Sequence, residues 1–294
     1  MNHTQAIIDQ VICVCCKRDA QTWLIASAYV VRNIDSKQYK VYVPDAEIDL
    51  FRSISAEPFQ VIGESVYTKQ LSHEIKSRLS KKISSQFGWY LQQFIKLAAV
   101  KDCQPNEVVL IWDADTIPLK SLRFLDERSR LLYYKGHEYH HAYFETIMRL
   151  LRLSKKVNFS FIAQCFVMKA LWLQEFCSEI ESRHHQGWVT ALLSTINFNE
   201  GNNFSEYETL GTFISHRHSD EIAYIDRKWL RLGNSEIGHA AFLTPQLIAN
   251  QLGEYDYVSF EKWDKAKPYF LRVTLPYFFK VYLPSLFKPR KIVC

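Results

Sequence analysis

Residues 108–119, VVLIWDADTIPL, place two aspartates one residue apart at the end of a largely apolar run, just before Pro118. Taken as a strand, the run alternates its side chains with a period of two, so Asp113 and Asp115 project to one side and Ala114 to the other. Two carboxylates that close disfavour each other unless a proton or a cation intervenes. A hard divalent ion, Mg²⁺ or Mn²⁺, relieves the clash and keeps coordination positions for a diphosphate on its far side. Such an ion would neutralise a nucleoside diphosphate as it departs. The blander alternative is a pair of solvated acids opening a turn before Pro118.

Other residues have types suited to the same chemistry. Lys17, Arg18 and Asp19 directly follow an apolar run, and cations there suit phosphate oxygens, although a solvated loop explains them equally well. The segment FSEYETLG carries Glu206 and Glu208. Ser205 and Glu208 fit the capping box S-x-x-E, which gives Glu208 a structural task. Glu206 has no such task, so it is the first candidate for a base that deprotonates an acceptor hydroxyl, with Glu208 second. In SSQFGWYLQQFIKLAAV the residues Phe87, Leu91, Phe94 and Ala98 make a helical stripe, which leaves Gln92 and Gln93 free to face a pocket or solvent. His137, Tyr139, His140, His141 and Tyr143 offer ring faces for a sugar, without metal-ligand spacing.

These residues need elements to hold them. With 294 residues, 48% hydrophobic and 14% aromatic, the chain can bury a substantial core. The run 11–16 reads as a strand buried on both faces, 20–31 as a helix, and 40–45 and 59–65 as two further strands. The helix 87–98 then leads into the aspartate strand. Helices are also expected near 171–183, 188–196 and after Ser205, with a strand within 159–168. Strands alternating with helices predict an α/β fold with a mainly parallel sheet, whose ligands sit beyond the carboxyl ends of the strands. One domain over 1–260 and a tail over 261–294 is the expected division. Seven cysteines, of which Cys13, Cys15 and Cys16 share one apolar run poorly placed for bridging one another, suggest reduced thiols and no structural zinc. The N-terminus lacks the basic start and cleavage site of a signal peptide, so a cytoplasmic protein is expected.

VVLIWDADTIPL, preceded by GWYLQQFIKLAAV and followed by FSEYETLG, resembles the GT-A class of nucleotide-sugar glycosyltransferases. Within that class it is similar to bacterial glycosyltransferase-like proteins of capsule and lipopolysaccharide loci. The similarity runs in order over about residues 8 to 245. It implies a GT-A-like, Rossmann-like sheet flanked by helices and metal-dependent transfer of a sugar, as in hexosyltransferases. The donor implied is a nucleoside diphosphate sugar, UDP-linked by preference, and the acceptor a cell-surface glycan of the lipopolysaccharide or capsule type, free or lipid-linked. On this resemblance Asp115 is the principal ligand of Mn²⁺ or Mg²⁺, and Asp113 contacts the ribose or supports the metal site. Lys17, Arg18 and Asp19 lie where the nucleotide is held, the helix of Gln92 borders the donor pocket, and His239 completes the metal site.

The segment 261–294 has eight Lys or Arg against Glu261 and Asp264, a net +6 that leaves −1 for the preceding residues. Its prolines and cations interrupt every long apolar run, which argues against a spanning helix. Interleaved aromatic and basic residues suit an anionic membrane surface, placing the protein at the inner face of the cytoplasmic membrane; packing on the domain is the alternative. No nucleic-acid partner is expected. Two competing readings remain: a haloacid-dehalogenase-type phosphatase with Asp113 as nucleophile, which the absence of any Asp-Asp pair opposes, and a non-catalytic glycan- or lipid-binding module.

Overall fold

The computed structural model describes residues 8–79, 81–199, 201–265 and 271–283. The first seven residues, and the parts of the basic segment at 266–270 and 284–294 on which the sequence reading also drew, lie outside them. The strands are β1 (Ile8–Val14), β2 (Ser36–Val43), β3 (Phe59–Gly63), β4 (Val108–Trp112), β5 (Thr116–Pro118), β6 (Leu131–Tyr134), β7 (Cys165–Lys169), β8 (Ile222–Ile225), β9 (Trp229–Leu230) and β10 (Tyr257–Ser259). The longer helices are α1 (Ala20–Asn33), α2 (Ile48–Ile54), α3 (Ser65–Arg78), α4 (Phe87–Lys101), α5 (His141–Leu151), α6 (Ala170–His184), α7 (Trp188–Thr195) and α8 (Glu206–Arg217).

The fold is α/β, with a central sheet ordered β3-β2-β1-β4-β7 in which the first four strands are parallel and β7 is antiparallel to β4. β1 is buried at every position but one, as its unbroken apolar run requires of a strand covered on both faces. The chain winds outward from β1 through β2 and β3, then returns to place β4 on the other side of β1. Loops leaving the carboxyl ends of β1 and β4 therefore diverge, and the crevice between them is where such sheets take ligands. The other strands form two small sheets, β5-β10-β9 and β6-β8.

α4 departs from the single-stripe reading. Tyr90, Leu91, Gln93, Phe94, Ile95, Lys96, Leu97, Ala99 and Val100 are all buried, because the helix packs against β1, α3 and α6 at once. A lysine is thus carried into the interior. The aspartates also differ from expectation: β4 ends at Trp112, and the Thr116 amide donates to the Asp113 carbonyl at 3.0 Å. That turn stops the period-two alternation, so Asp113 and Asp115 share a cleft without sharing a strand face. The Trp112 indole donates to the Thr116 carbonyl at 2.8 Å and pins the turn from below.

α8 begins as its sequence suggests, with the Ser205 hydroxyl accepting from the Glu208 amide at 3.3 Å. The return half of the capping box is not made. Glu208 is fully buried, and its carboxylate instead accepts from the Phe161 amide at 3.0 Å, the Ser160 hydroxyl and Lys155 Nζ at 3.0 Å. The reason is proximity, since α8 lies flat on the segment before β7. Gly211 allows this: a Cβ there would sit 2.1 Å from the Phe161 ring.

The segment that follows Phe260 is built into the domain at its start. The Phe260 amide donates to the Asp115 carbonyl at 2.9 Å, and Asp264 accepts from the Ser235 amide at 3.0 Å and from its hydroxyl. A helical stretch over 274–283 is tied back by Thr274, which donates to the Ile237 carbonyl at 2.6 Å. Among the described residues no helix is long and apolar enough to cross a membrane. The six described cysteines are unbonded.

Because α8 carries Glu206, its close approach to Phe161 sets the depth of one cleft wall. Gly211→Ala is expected to lower stability by about 1–3 kcal/mol through overpacking, read as a lower urea midpoint at unchanged slope; an unchanged midpoint would show that the ring moves aside freely.

Candidate active site

The crevice between β1 and β4 opens into a cleft of about 640 Å³. Its floor is the Asp113–Asp115 turn. One wall comes from the end of β1 with Arg18 and Asp19, another from α4 with Trp89, Gln92, Gln93 and Lys96, and a third from Ser205, Glu206 and Tyr207 at the start of α8. Glu138 and Tyr139, then Arg231, Glu261 and Trp263, close the far side.

Lys96 is the hub. It is only 4% exposed, and its Nζ lies 2.6 Å from Asp113 Oδ1, 2.8 Å from Glu206 Oε1 and 3.1 Å from the Tyr207 hydroxyl oxygen. The Tyr207 hydroxyl donates to the same Asp113 oxygen at 2.7 Å. Burial works against the ammonium, but Asp113 and Glu206 outweigh it and hold Lys96 well above the ordinary lysine value. Glu206 is driven above the usual carboxylate range, first by burial and then by Asp113, with Lys96 pulling the other way. Gln93 fixes the helix start by accepting from the Glu206 amide at 3.0 Å. Three ionisable groups at this depth are tolerable only as a set, since losing one partner of a buried pair costs about 3–5 kcal/mol.

Asp115 is less well compensated. Its Oδ1 accepts only a long bond, 3.4 Å, from the Thr116 hydroxyl, and among the described residues no cation pairs with it. Its carboxyl is pushed up to about 8, by burial foremost, then by Asp113, Glu261 and Asp19. Those neighbours have cations of their own. Asp19 has Arg18 at 3.5 Å and Lys262 at 3.6 Å. Glu261 has Arg231 at 2.5 Å, and Arg231 also grips Glu138 and lies over the Trp263 ring.

The structure brings together Asp113, Asp115, Arg18, Asp19, Gln92 and Glu206, and leaves three expected residues apart. Lys17 is exposed on the far side of its turn, its amide donating to Glu47 at 2.5 Å. Glu208 is consumed by the segment 160–161, as described above. His239 caps a short turn with Nδ1, which accepts from the Ala241 amide at 3.0 Å, while Nε2 meets Gln21 at 3.2 Å. Tyr139, His140 and Tyr143 reach the cleft, whereas His137 stacks on Trp229 and His141 pairs with Glu145. Lys96, Tyr207, Gln164, Arg231, Glu261 and Trp263 were not singled out from the sequence. Of these only Lys96 carries a local signal, as a lone cation in the apolar stretch FIKLAAV.

The donor set suits a hard ion whose shell is completed by its ligand. Asp115 has no cation, and Asp113 has Oδ2 without a described partner. Among the described residues no three of His, Cys, Asp and Glu converge closely enough to cage a metal. Mg²⁺ commonly binds through one or two carboxylates, with phosphate oxygens and water supplying the rest, and these residues fit that pattern.

A raised carboxyl fixes a sign. The folded chain binds the Asp115 proton more tightly than the unfolded chain, whose ordinary value is 3.8, so this group's contribution to stability is complete below about pH 4 and is lost as pH rises through 8. Without divalent ions, Asp115→Asn should flatten that decline and exceed the native protein at pH 8 by about 1–3 kcal/mol, after allowing for screening by cleft water. Urea unfolding between pH 4.5 and 8.5 measures it, and parallel curves would contradict the raised carboxyl.

Comparison with known proteins adds the following. None of the curated proteins compared matches the sequence. In structure the chain is similar to mouse xyloside xylosyltransferase 1 in its apo form, with a TM-score of 0.48 and 12% identity over 89% of this chain and 100% of that one. It is similar to the galactosyltransferase LgtC in complex with donor and acceptor sugar analogues, at 0.44 and 10% over 85% and 86%. A third likeness is to the apo glycosyltransferase GlyE of Streptococcus pneumoniae TIGR4, at 0.42 and 11% over 88% of this chain and 55% of that one. Likenesses this distant leave the chemistry to be argued from the site. Residues 28–269 match the family described as "Family of unknown function (DUF6492)". That match spans most of the chain, and the protein therefore belongs to this family.

Proposed function

We propose that the protein is a glycosyltransferase that moves a sugar from a nucleoside diphosphate sugar to a hydroxyl of a glycan acceptor. The observation that carries this reading is Asp115, a carboxylate without a cation on the floor of the switch-point cleft, beside an Asp113 already neutralised by Lys96. Asp115, with Asp113 beside it, would hold a divalent ion, and when bound, Mn²⁺ or Mg²⁺ would stabilise the departing nucleoside diphosphate. Arg18 stands at the same end of the cleft and suits phosphate oxygens. Trp89, Tyr139 and Trp263 line the cleft with ring faces for a base and for sugars. UDP is the nucleotide proposed first, on the resemblance of the D-x-D segment to GT-A enzymes.

The chain's own groups divide the work. Lys96 and Tyr207 hold Asp113 in place while the ligand arrives. Glu206 Oε1 faces Lys96, and Oε2 has no described partner, so an acceptor hydroxyl can meet it there. In an inverting transfer Glu206 takes that hydroxyl proton as the acceptor oxygen bonds to the sugar's anomeric carbon. The bond from that carbon to the diphosphate oxygen breaks, and the pair leaves with the nucleoside diphosphate. The raised proton affinity of Glu206 favours this step.

Lipopolysaccharide or capsule glycans, including lipid-linked ones, are the proposed acceptors, and an anionic membrane surface the proposed setting. In support, Leu275, Phe279 and Leu283 are exposed on the 274–283 stretch together with Lys280, a combination suited to the headgroup region of anionic lipid.

A thermal-shift panel of UDP and GDP with and without Mn²⁺ should show stabilisation by one nucleotide only with the ion, lost in Asp115→Ala; a response to BeF₃⁻ instead would point to phosphatase chemistry. In the same framework Glu206→Gln should lower turnover about 10²- to 10⁴-fold with donor affinity within about twofold, and an unaffected rate would remove Glu206 as the base. For the membrane, the full chain carrying Leu275→Asp and Phe279→Asp should bind phosphatidylglycerol vesicles at least about tenfold more weakly. Equal co-sedimentation of both proteins would contradict the surface.

A further inference from the structure

Gln164, the residue before β7, has an unusual combination of features. It is 3% exposed yet lines the cleft, and it adopts the left-handed backbone region with φ of 58°. Non-glycine residues held in that region cluster where a site demands a particular backbone path. Its carbonyl accepts the Asp113 amide at 3.0 Å, which bolts it to the aspartate turn. Its side-chain Nε2 donates to Glu261 Oε1 at 3.3 Å.

The orientation of the amide follows from that partner. A carboxylate only accepts, so the nitrogen must face Glu261, and Arg231 holds Glu261 in turn. The amide oxygen is thereby directed away from Glu261, and it is buried with no hydrogen-bond partner. Among the described residues five buried side-chain atoms share that condition, and Gln164 alone of them lines the cleft. An unpaired buried acceptor marks a place where a donor is due. Phosphate oxygens do not donate, so the partner is an O–H or N–H of another part of the ligand.

The sheet order tells which part. β1 and β7 flank β4 on opposite sides, with Arg18 and Asp19 following β1 and Gln164 preceding β7. A diphosphate at Asp115 with its nucleoside toward β1 has its transferred sugar toward β7, on the side of Gln164. Resting on the glycosyltransferase reading, we propose that Gln164 Oε1 accepts a hydrogen bond from one hydroxyl of the transferred sugar, making Gln164 a residue that selects the donor sugar. Sites built around such an acceptor reject analogues lacking the matching hydroxyl far better than apolar pockets reject a missing methylene.

The test is calorimetric titration with Mn²⁺ present, using UDP or GDP, whichever stabilises the native protein, and the glucose, galactose, N-acetylglucosamine and xylose derivatives of that nucleotide. In Gln164→Met the best-bound sugar nucleotide should weaken at least about tenfold while the bare nucleotide stays within about twofold. Gln164→Asn, which tolerates the left-handed backbone, should do the same and guards against a misfolded variant. On the native protein, removing the sugar hydroxyls one at a time should single out one position with a comparable loss. Equal effects on nucleotide and sugar nucleotide, no effect on either, or no sensitive hydroxyl would overturn the assignment to Gln164 while leaving the donor site standing. A native protein that binds none of these nucleotides overturns the donor-site reading, and this inference with it.

Discussion

Everything in the cleft is arranged around one buried ammonium. Lys96 lies between Asp113 and Glu206, on two helices and a turn that are far apart in sequence, and its charge makes their burial tolerable. The contact does not rank as a large source of stability, since removing ions from water roughly cancels what their attraction returns. Its effect is on specification. Asp113 has one place to be, Glu206 has one wall to form, and the Tyr207 hydroxyl bridges between them.

The fold supplies that arrangement from three directions. The reversal of winding between β1 and β4 opens the crevice, α4 forms one wall of it, and α8 arrives along the segment before β7. α8 is located in part by groups that do not line the cleft. Glu208 is locked into the backbone at Phe161, and Gly211 lets the helix lie against that ring. Two glutamates two residues apart thus have unrelated tasks: Glu206 faces the cleft and Glu208 anchors the helix that presents it.

Around the hub the charges do not balance. Asp19 has Lys262, and Glu138 and Glu261 share Arg231, whereas among the described residues no cation pairs with Asp115. The unpaired acceptor of Gln164 belongs to the same region. An uncompensated carboxylate and an uncompensated carbonyl oxygen ask for different things, the first for a cation and the second for a hydrogen-bond donor. A sugar nucleotide accompanied by a divalent ion brings both.

Local pattern alone made several things legible. The apolar runs of β1 and β4, the helix ahead of the aspartates, the Ser205 cap and the α/β alternation follow from periodicity and capping, which act over a few residues. Asp113, Asp115, Arg18, Asp19, Gln92 and Glu206 could be named because each ends or borders such an element. The start of the basic tail was harder to place, because Glu261 and Trp263 join the cleft only once β10 has paired with β5. Lys17, Glu208 and His239 do not line the cleft: Lys17 is exposed on its turn, Glu208 is held by Lys155, Ser160 and Phe161, and His239 caps a short turn. The sequence by itself determined which elements form and where the acids lie along the chain. Tertiary structure alone decided that Lys96 is interior, that Asp115 has no cation among the described residues and that Gln164 is oriented by Glu261, because burial and pairing are properties of residues brought together from distant positions and have no signature in a short window.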